Sequence, residues 1–208
     1  MRVVKEAEER RNEILDAAEK LFGEKGFDST STNDILNEVG IARGTLYYHF
    51  SSKEDILDAM IERITDRLTA KAEAAVKRKE LPVPERLTMM VMSLNINNGL
   101  GREIMKQVHK PQNALMHQKM RERLLAAVNP IAAGLIEEGV AEGIFSTGYP
   151  AEAAEMALLY SNTAFDELSE LTDEQRTKKV MAFIYNAERL LGTKEGSLRE
   201  ALLPIFEA

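Results

Sequence analysis

The sequence predicts an all-α fold, and three observations carry that expectation. Apolar residues recur at three- and four-residue spacing along most of the 208 residues, the period of a helix with one buried face. Alternating apolar–polar runs joined by hairpin dipeptides, which would mark strands, are absent. Glycine, proline and hydroxyl residues stand where the periodic segments begin and end. The architecture expected is an N-terminal three-helix domain containing a helix-turn-helix, residues 1–53, followed by a C-terminal helical domain, residues 54–208.

Taken in order, the first helix is expected from Ala7 to Glu24, with Ile14, Leu15, Ala17, Ala18, Leu21 and Phe22 on one side and Gly26 as its stop. Ser31 or Thr32 supplies a capping hydroxyl for a short helix over Asn33–Val39, which Gly40 ends. A third helix follows over Arg43–Phe50. Ser52 caps a fourth running to about Lys79, with Glu54 and Asp55 at the positive end of its dipole. Leu81-Pro82-Val83-Pro84 breaks this helix and is the clearest internal boundary. Further helices are expected at Pro84–Asn97, Leu100–Val108, Gln112–Ala141, Ala151–Leu168 and Asp173–Leu191, with an amphipathic tail at Ser197–Phe206. Pro130 should kink or divide the helix that contains it.

Composition excludes several classes. There is no cysteine, which removes disulfides, thiolate metal sites and cysteine nucleophiles and fits a reducing cytoplasm. No apolar run approaches the roughly 18 residues of a membrane span, and Met1–Arg11 is too charged for a signal peptide. A soluble cytoplasmic protein without a membrane partner is expected. No glycine-rich phosphate loop, nucleophile–histidine–acid set or HExxH stands in the sequence, so no catalytic residue, cofactor or enzyme activity is expected. His109 and His117, eight apart and without thiols, do not suggest a metal site.

The net charge of −7 opposes a nucleic-acid function, because duplex binding depends on neutralising phosphates. Even residues 1–53 hold 8 Lys/Arg against 10 Asp/Glu. Local placement is more favourable: Ala42–Lys53 carries Arg43, His49 and Lys53 and no acid. Two short helices joined by Gly40-Ile41-Ala42 have helix-turn-helix spacing. Packing Ile35, Leu36 and Val39 against Ile41, Leu46 and Phe50, with Phe22 and Phe27, leaves Arg43, Gly44, Thr45, Tyr47, Tyr48 and His49 outward. That set suits a groove: arginine grips guanine edges, threonine and tyrosine meet thymine methyls, and hydroxyls and imidazole hold phosphates. Bland roles compete. Tyr47 could be partly core, His49 a buried hydrogen-bonder, and Thr32 a cap without a contact.

The run Ser31-Thr32-Asn33-Asp34-Ile35, then Gly40 through Glu54, resembles the signature of the TetR family of repressors. Ile14 to Ala18 and Leu21 to Phe27 match its first helix and turn, so the likeness covers roughly residues 8–60. What it implies is a body of nine or ten helices and a set of DNA contacts. Arg43 would read a base edge, Gly44 would allow close backbone approach, and Thr45 would meet base or phosphate. Tyr47, Tyr48 and His49 would hold the backbone. Thr32 would bind a phosphate at its helix start, Asn33 stands where some members read a base, and Lys53 would hold another phosphate.

A single helix-turn-helix reads few base pairs, so a homodimer on a palindromic double-stranded operator is expected. The last two long helices are the candidate interface, through Met156, Tyr160, Ala164, Met181, Ile184 and Tyr185. The central helices are rich in methionine. Met89, Met92, Met105, Met116 and Met120, with Asn95 and Tyr160, are candidates for lining a pocket for a small apolar or amphipathic effector. A methionine stripe is equally an ordinary core. The fourth helix, starting at Lys53, is the natural lever between pocket and DNA.

Overall fold

The computed structural model describes residues 7–94, 114–164 and 171–207. Every regular element among them is a helix: α1 (Ala7–Lys25), α2 (Thr32–Val39), α3 (Arg43–His49), α4 (Lys53–Val76), α5 (Val83–Ser93), α6 (Ala114–Ala141), α7 (Pro150–Ala164), α8 (Asp173–Leu191) and the single turns α9 (Arg199–Leu202) and α10 (Pro204–Glu207). The all-α expectation holds. The helix expected over Leu100–Val108, with Asn95, Asn97, Asn98, Met105, His109, Asn113, Phe165 and Leu168, lies outside the described residues.

The chain divides into two compact units, residues 1–66 with 96–123, and residues 67–95 with 124–208. In the first, Ile14, Leu15, Ala18, Phe22, Ile35, Leu46, Phe50, Ile56, Leu57 and Met60 are fully or almost fully buried. Arg63 braces α4 on α1, with Nη1 2.7 Å from Asp16 Oδ1 and Nη2 2.8 Å from Glu19 Oε2. On α6, Lys119 pairs with Asp58 and Arg123 lies 3.5 Å from Glu62.

The second unit packs Ala72, Val83, Met90, Val128, Ala132, Leu135, Ile136, Phe145, Ala154, Val180, Ile184, Leu191 and Leu198 in one apolar cluster. The turns α9 and α10 lie on α5, where the Thr88 hydroxyl sits 2.6 Å from the Ala201 carbonyl. The buried Glu188 carboxylate accepts the Gly196 and Leu198 amides, each at 2.9 Å. Gly139 permits a close approach: a methyl there would lie 2.3 Å from a Phe145 ring carbon.

Three expectations are corrected. First, α4 ends at Val76 rather than Lys79. Its terminal carbonyl, an orphan of the helix end, is taken by Arg86 Nη1 at 2.9 Å. Second, α6 passes through Pro130 without dividing, because Val128, Ala132 and Ala133 are buried on either side of that exposed ring. Third, α6 is by length and composition apolar enough to cross a membrane, with a mean hydropathy of 1.4 over its best window. Charges at its ends hid this from a search for one unbroken apolar run. Val128, Ala132, Leu135 and Ile136 use that apolar character for packing within the chain.

Candidate nucleic-acid interface

The interface is built from the caps inward. Ser31 caps α2: its hydroxyl accepts the Asp34 amide at 3.2 Å, and the Asp34 carboxylate accepts the Ser31 amide at 2.8 Å. This capping box satisfies two donors that the helix start would leave open. Hydrogen bonds from Ser31, chiefly its side chain, and then from Lys25 Nζ at 3.1 Å pull the Asp34 pKa down to about 2. At the other end Gly40 sits at φ 72°, ψ 40°, a left-handed position that glycine adopts without a Cβ clash. Its amide and that of Ile41 both return to the Leu36 carbonyl, at 2.9 and 3.1 Å. The chain turns sharply there, and α3 starts two residues later.

The packing of α3 decides what it displays. Leu46 and Phe50 are buried beside Ile35 and Leu36, and Phe22 meets Phe27 edge-on at 5.2 Å. The other face carries Arg43, Gly44, Tyr47 and Tyr48, all exposed, with Thr45 and His49 half-buried. Tyr48 is 77% exposed, and its ring meets His49 edge-on at 4.9 Å. Asn33 is exposed and Thr32 half-buried at the start of α2. The Arg43 guanidinium lies over the Tyr47 ring, 5.4 Å from its centroid. Hydrogen bonds from Arg43, and then from Thr32, hold the Tyr47 hydroxyl below its ordinary pKa.

Lys53 is placed less freely than a lone phosphate clamp. Its Nζ donates to the Phe27 carbonyl at 2.8 Å and stands 4.2 Å from the Phe27 ring centroid. One donor is thereby committed to tying the start of α4 to the turn after α1. Sequence reasoning missed Arg11, whose guanidinium covers the Phe50 ring at 5.1 Å, and the Arg63 brace. The spacing of Asp16 and Glu19 on one face of α1 was the available signal for the brace.

The candidate ligand residues fall in both units. Met116 and Met120 are buried in the first. In the second, Met89 is half-buried, Met92 is exposed and Tyr160 is exposed. Of the candidate dimer residues, Met156, Tyr160 and Tyr185 are exposed on α7 and α8, joined by Leu159. Met181 and Ala164 are half-buried. Tyr160 stacks on Phe183, centroids 5.8 Å apart and planes 7° apart, and Arg189 covers the Tyr185 ring at 4.9 Å. Ile184 differs: it is 2% exposed and belongs to the chain's own core, because it sits on the stripe of Val180, Ala187 and Leu191.

Comparison with known proteins follows this geometry. Residues 14–60 match the family model of bacterial regulatory proteins of the tetR family, and residues 95–186 match a tetracyclin repressor-like C-terminal domain. The chain is 30% identical over 151 residues to the HTH-type transcriptional repressor KstR2 of Rhodococcus jostii, covering 70% of this chain and 72% of that one. It is 36% identical over 92 residues to the KstR2 repressor of Mycobacterium tuberculosis, covering 44% of this chain and 46% of that one. The match therefore spans less than half of the mycobacterial relative. A solved structure of RolR in complex with resorcinol shares the fold, with a TM-score of 0.61 at 19% identity, covering 94% of each chain.

Proposed function

The chain belongs to the TetR family, DNA-binding transcription regulators rather than enzymes, and from that premise we propose a ligand-released repressor that binds a palindromic operator as a homodimer. The observation that carries the reading is the face of α3. Burial of Leu46 and Phe50 turns Arg43, Gly44, Tyr47 and Tyr48 outward, in a stretch from Ala42 to Lys53 that contains no acid. Arg43 reads a base edge in the major groove, and Thr45, Tyr48 and His49 hold the backbone around it. Asn33 is a second base contact at the start of α2. The similarity to the KstR2 repressors supports repression as the sense of control.

The acidity of the whole chain is overcome by number. Two copies place two acid-free faces on one duplex, and half-site contacts add. The exposed Met156, Leu159, Tyr160 and Tyr185 form an apolar surface larger than isolated exposed side chains need explain, and a second copy covers it. The DNA-reading part comprises residues 1–53 and the sensing body residues 54–208, with α4 shared between their tasks. The effector is a small apolar or amphipathic molecule, a class that methionine-rich helices accommodate. RolR, a relative in fold, is solved with resorcinol. The protein acts in the cytoplasm, where its operator lies.

Release follows from α4. Within the first unit Arg63 holds it to α1, and within the second Arg86 holds its last carbonyl. An effector that favours one tilt of α4 changes the separation of the two recognition helices. It lowers operator affinity only as far as it discriminates between the two states. Selection of bound duplexes from a random DNA pool tests the whole reading. A two-fold symmetric sequence whose affinity falls steeply with salt is expected, whereas weak, unselective binding refutes it.

A further inference from the structure

Arg43 is the first residue of α3, and Tyr47 follows four positions later, one turn along the same face. The guanidinium is 5.4 Å from the phenol centroid, within reach of an attractive cation–ring contact. The phenol oxygen also accepts hydrogen bonds from the Arg43 guanidinium and from the Thr32 hydroxyl on α2. Tyr47 is therefore held from one helix of the motif and holds a side chain of the other. Its neighbour Tyr48 is nearly free by comparison, 77% exposed against 43%.

We infer that Tyr47 is a positioning residue, which fixes the Arg43 guanidinium in one pose before DNA arrives, and that Thr32 acts through Tyr47 rather than on a phosphate of its own. An arginine side chain has many rotamers, and gripping a base edge with its planar fork removes most of them. Ordering that happens in the free protein no longer opposes binding, so affinity rises without a new contact to DNA. The place is also the right one, because base contacts come from the N-terminal residues of a recognition helix. The inference rests on the reading that α3 enters the groove, and it assigns Tyr47 and Thr32 to specificity rather than to the backbone.

The test uses the full chain, the duplex selected from the random pool, and a scrambled duplex of equal length. Arg43→Ala, Tyr47→Phe, Thr32→Val and their pairwise combinations are titrated by fluorescence anisotropy at several salt concentrations. Tyr47→Phe keeps the ring and removes the hydroxyl. We expect it to weaken operator binding about tenfold, or about 1.4 kcal/mol, with the scrambled duplex and the salt slope unchanged. Thr32→Val should do the same, Thr32→Ser should restore wild-type binding, and neither Tyr47→Phe nor Thr32→Val should weaken an Arg43→Ala protein further. Equal weakening on both duplexes, a salt slope reduced by about one, or additivity with Arg43→Ala overturns the positioning role and makes Tyr47 a phosphate contact. Failure of the underlying reading looks different: Arg43→Ala itself then leaves the operator preference intact.

Discussion

The Arg86–Glu138 pair allows an asymmetric prediction. Arg86 is 1% exposed and its guanidinium meets Glu138 through both terminal nitrogens, one of them 3.3 Å from Oε2. The Glu138 side chain keeps 27% of its exposure and has a second cation in Lys79. Glu138→Gln thus strands a buried cation, whose Nε is already without a partner, and breaking a buried pair in this way costs about 3–5 kcal/mol. Arg86→Met strands only a half-wet carboxylate that Lys79 still serves. It retains most of the buried volume and costs about 1–2 kcal/mol, mainly for the lost bond to the Val76 carbonyl. Urea unfolding followed by far-ultraviolet circular dichroism at neutral pH measures both.

Acidification supplies the second arm of that test. Hydrogen bonds from Arg86 and then Lys79 hold the Glu138 carboxyl below its ordinary pKa. Its folded value is depressed, so its stabilisation is complete above about pH 4.3 and is lost as pH falls through the lower folded value. The gap between wild type and Glu138→Gln should close over that interval. If Glu138→Gln unfolds no more easily than Arg86→Met, or if the gap persists in acid, burial of the guanidinium does not dominate this site.

Three further outcomes follow from the same reasoning. Asp34→Ala removes both halves of the capping box on α2 and should lower the thermal midpoint; since the Asp34 pKa is depressed to about 2, the difference from wild type is present above about pH 4 and fades toward the lower value. Gly139→Ala drives a methyl into Phe145, whose ring carbons would lie 2.3 and 2.5 Å away. With Phe145 buried, urea titration should register a loss of about 1–3 kcal/mol, and an unchanged midpoint contradicts the packing described. Met156→Glu combined with Tyr185→Glu places charges on the exposed face of α7 and α8. Sedimentation should then show a monomer that binds the operator weakly, and a stable dimer would move the interface elsewhere.

Much of the DNA-reading domain was legible because its information is local. Ser31, Gly40 and Ser52 set helix ends through their own backbone or side-chain hydrogen bonds, and Ile35, Leu36, Leu46 and Phe50 recur with the helical period that buries them. The outward face of α3 then follows by subtraction. Resemblance added roles for those residues that periodicity does not contain.

What the tertiary structure decided is how side chains distant in sequence share one environment. A lysine at a helix start reads as a phosphate clamp, until Phe27, 26 residues earlier, presents its carbonyl to Lys53. An apolar stripe reads as a partner surface, until the second unit's own core absorbs Ile184 and leaves Met156 and Tyr185 outside. The end of α4 depended on Arg86 reaching Val76, and the shared hold on Tyr47 depended on α2 lying beside α3. Helix periodicity states which face is apolar. Which surface that face meets depends on the whole chain's packing, and no local pattern carries it.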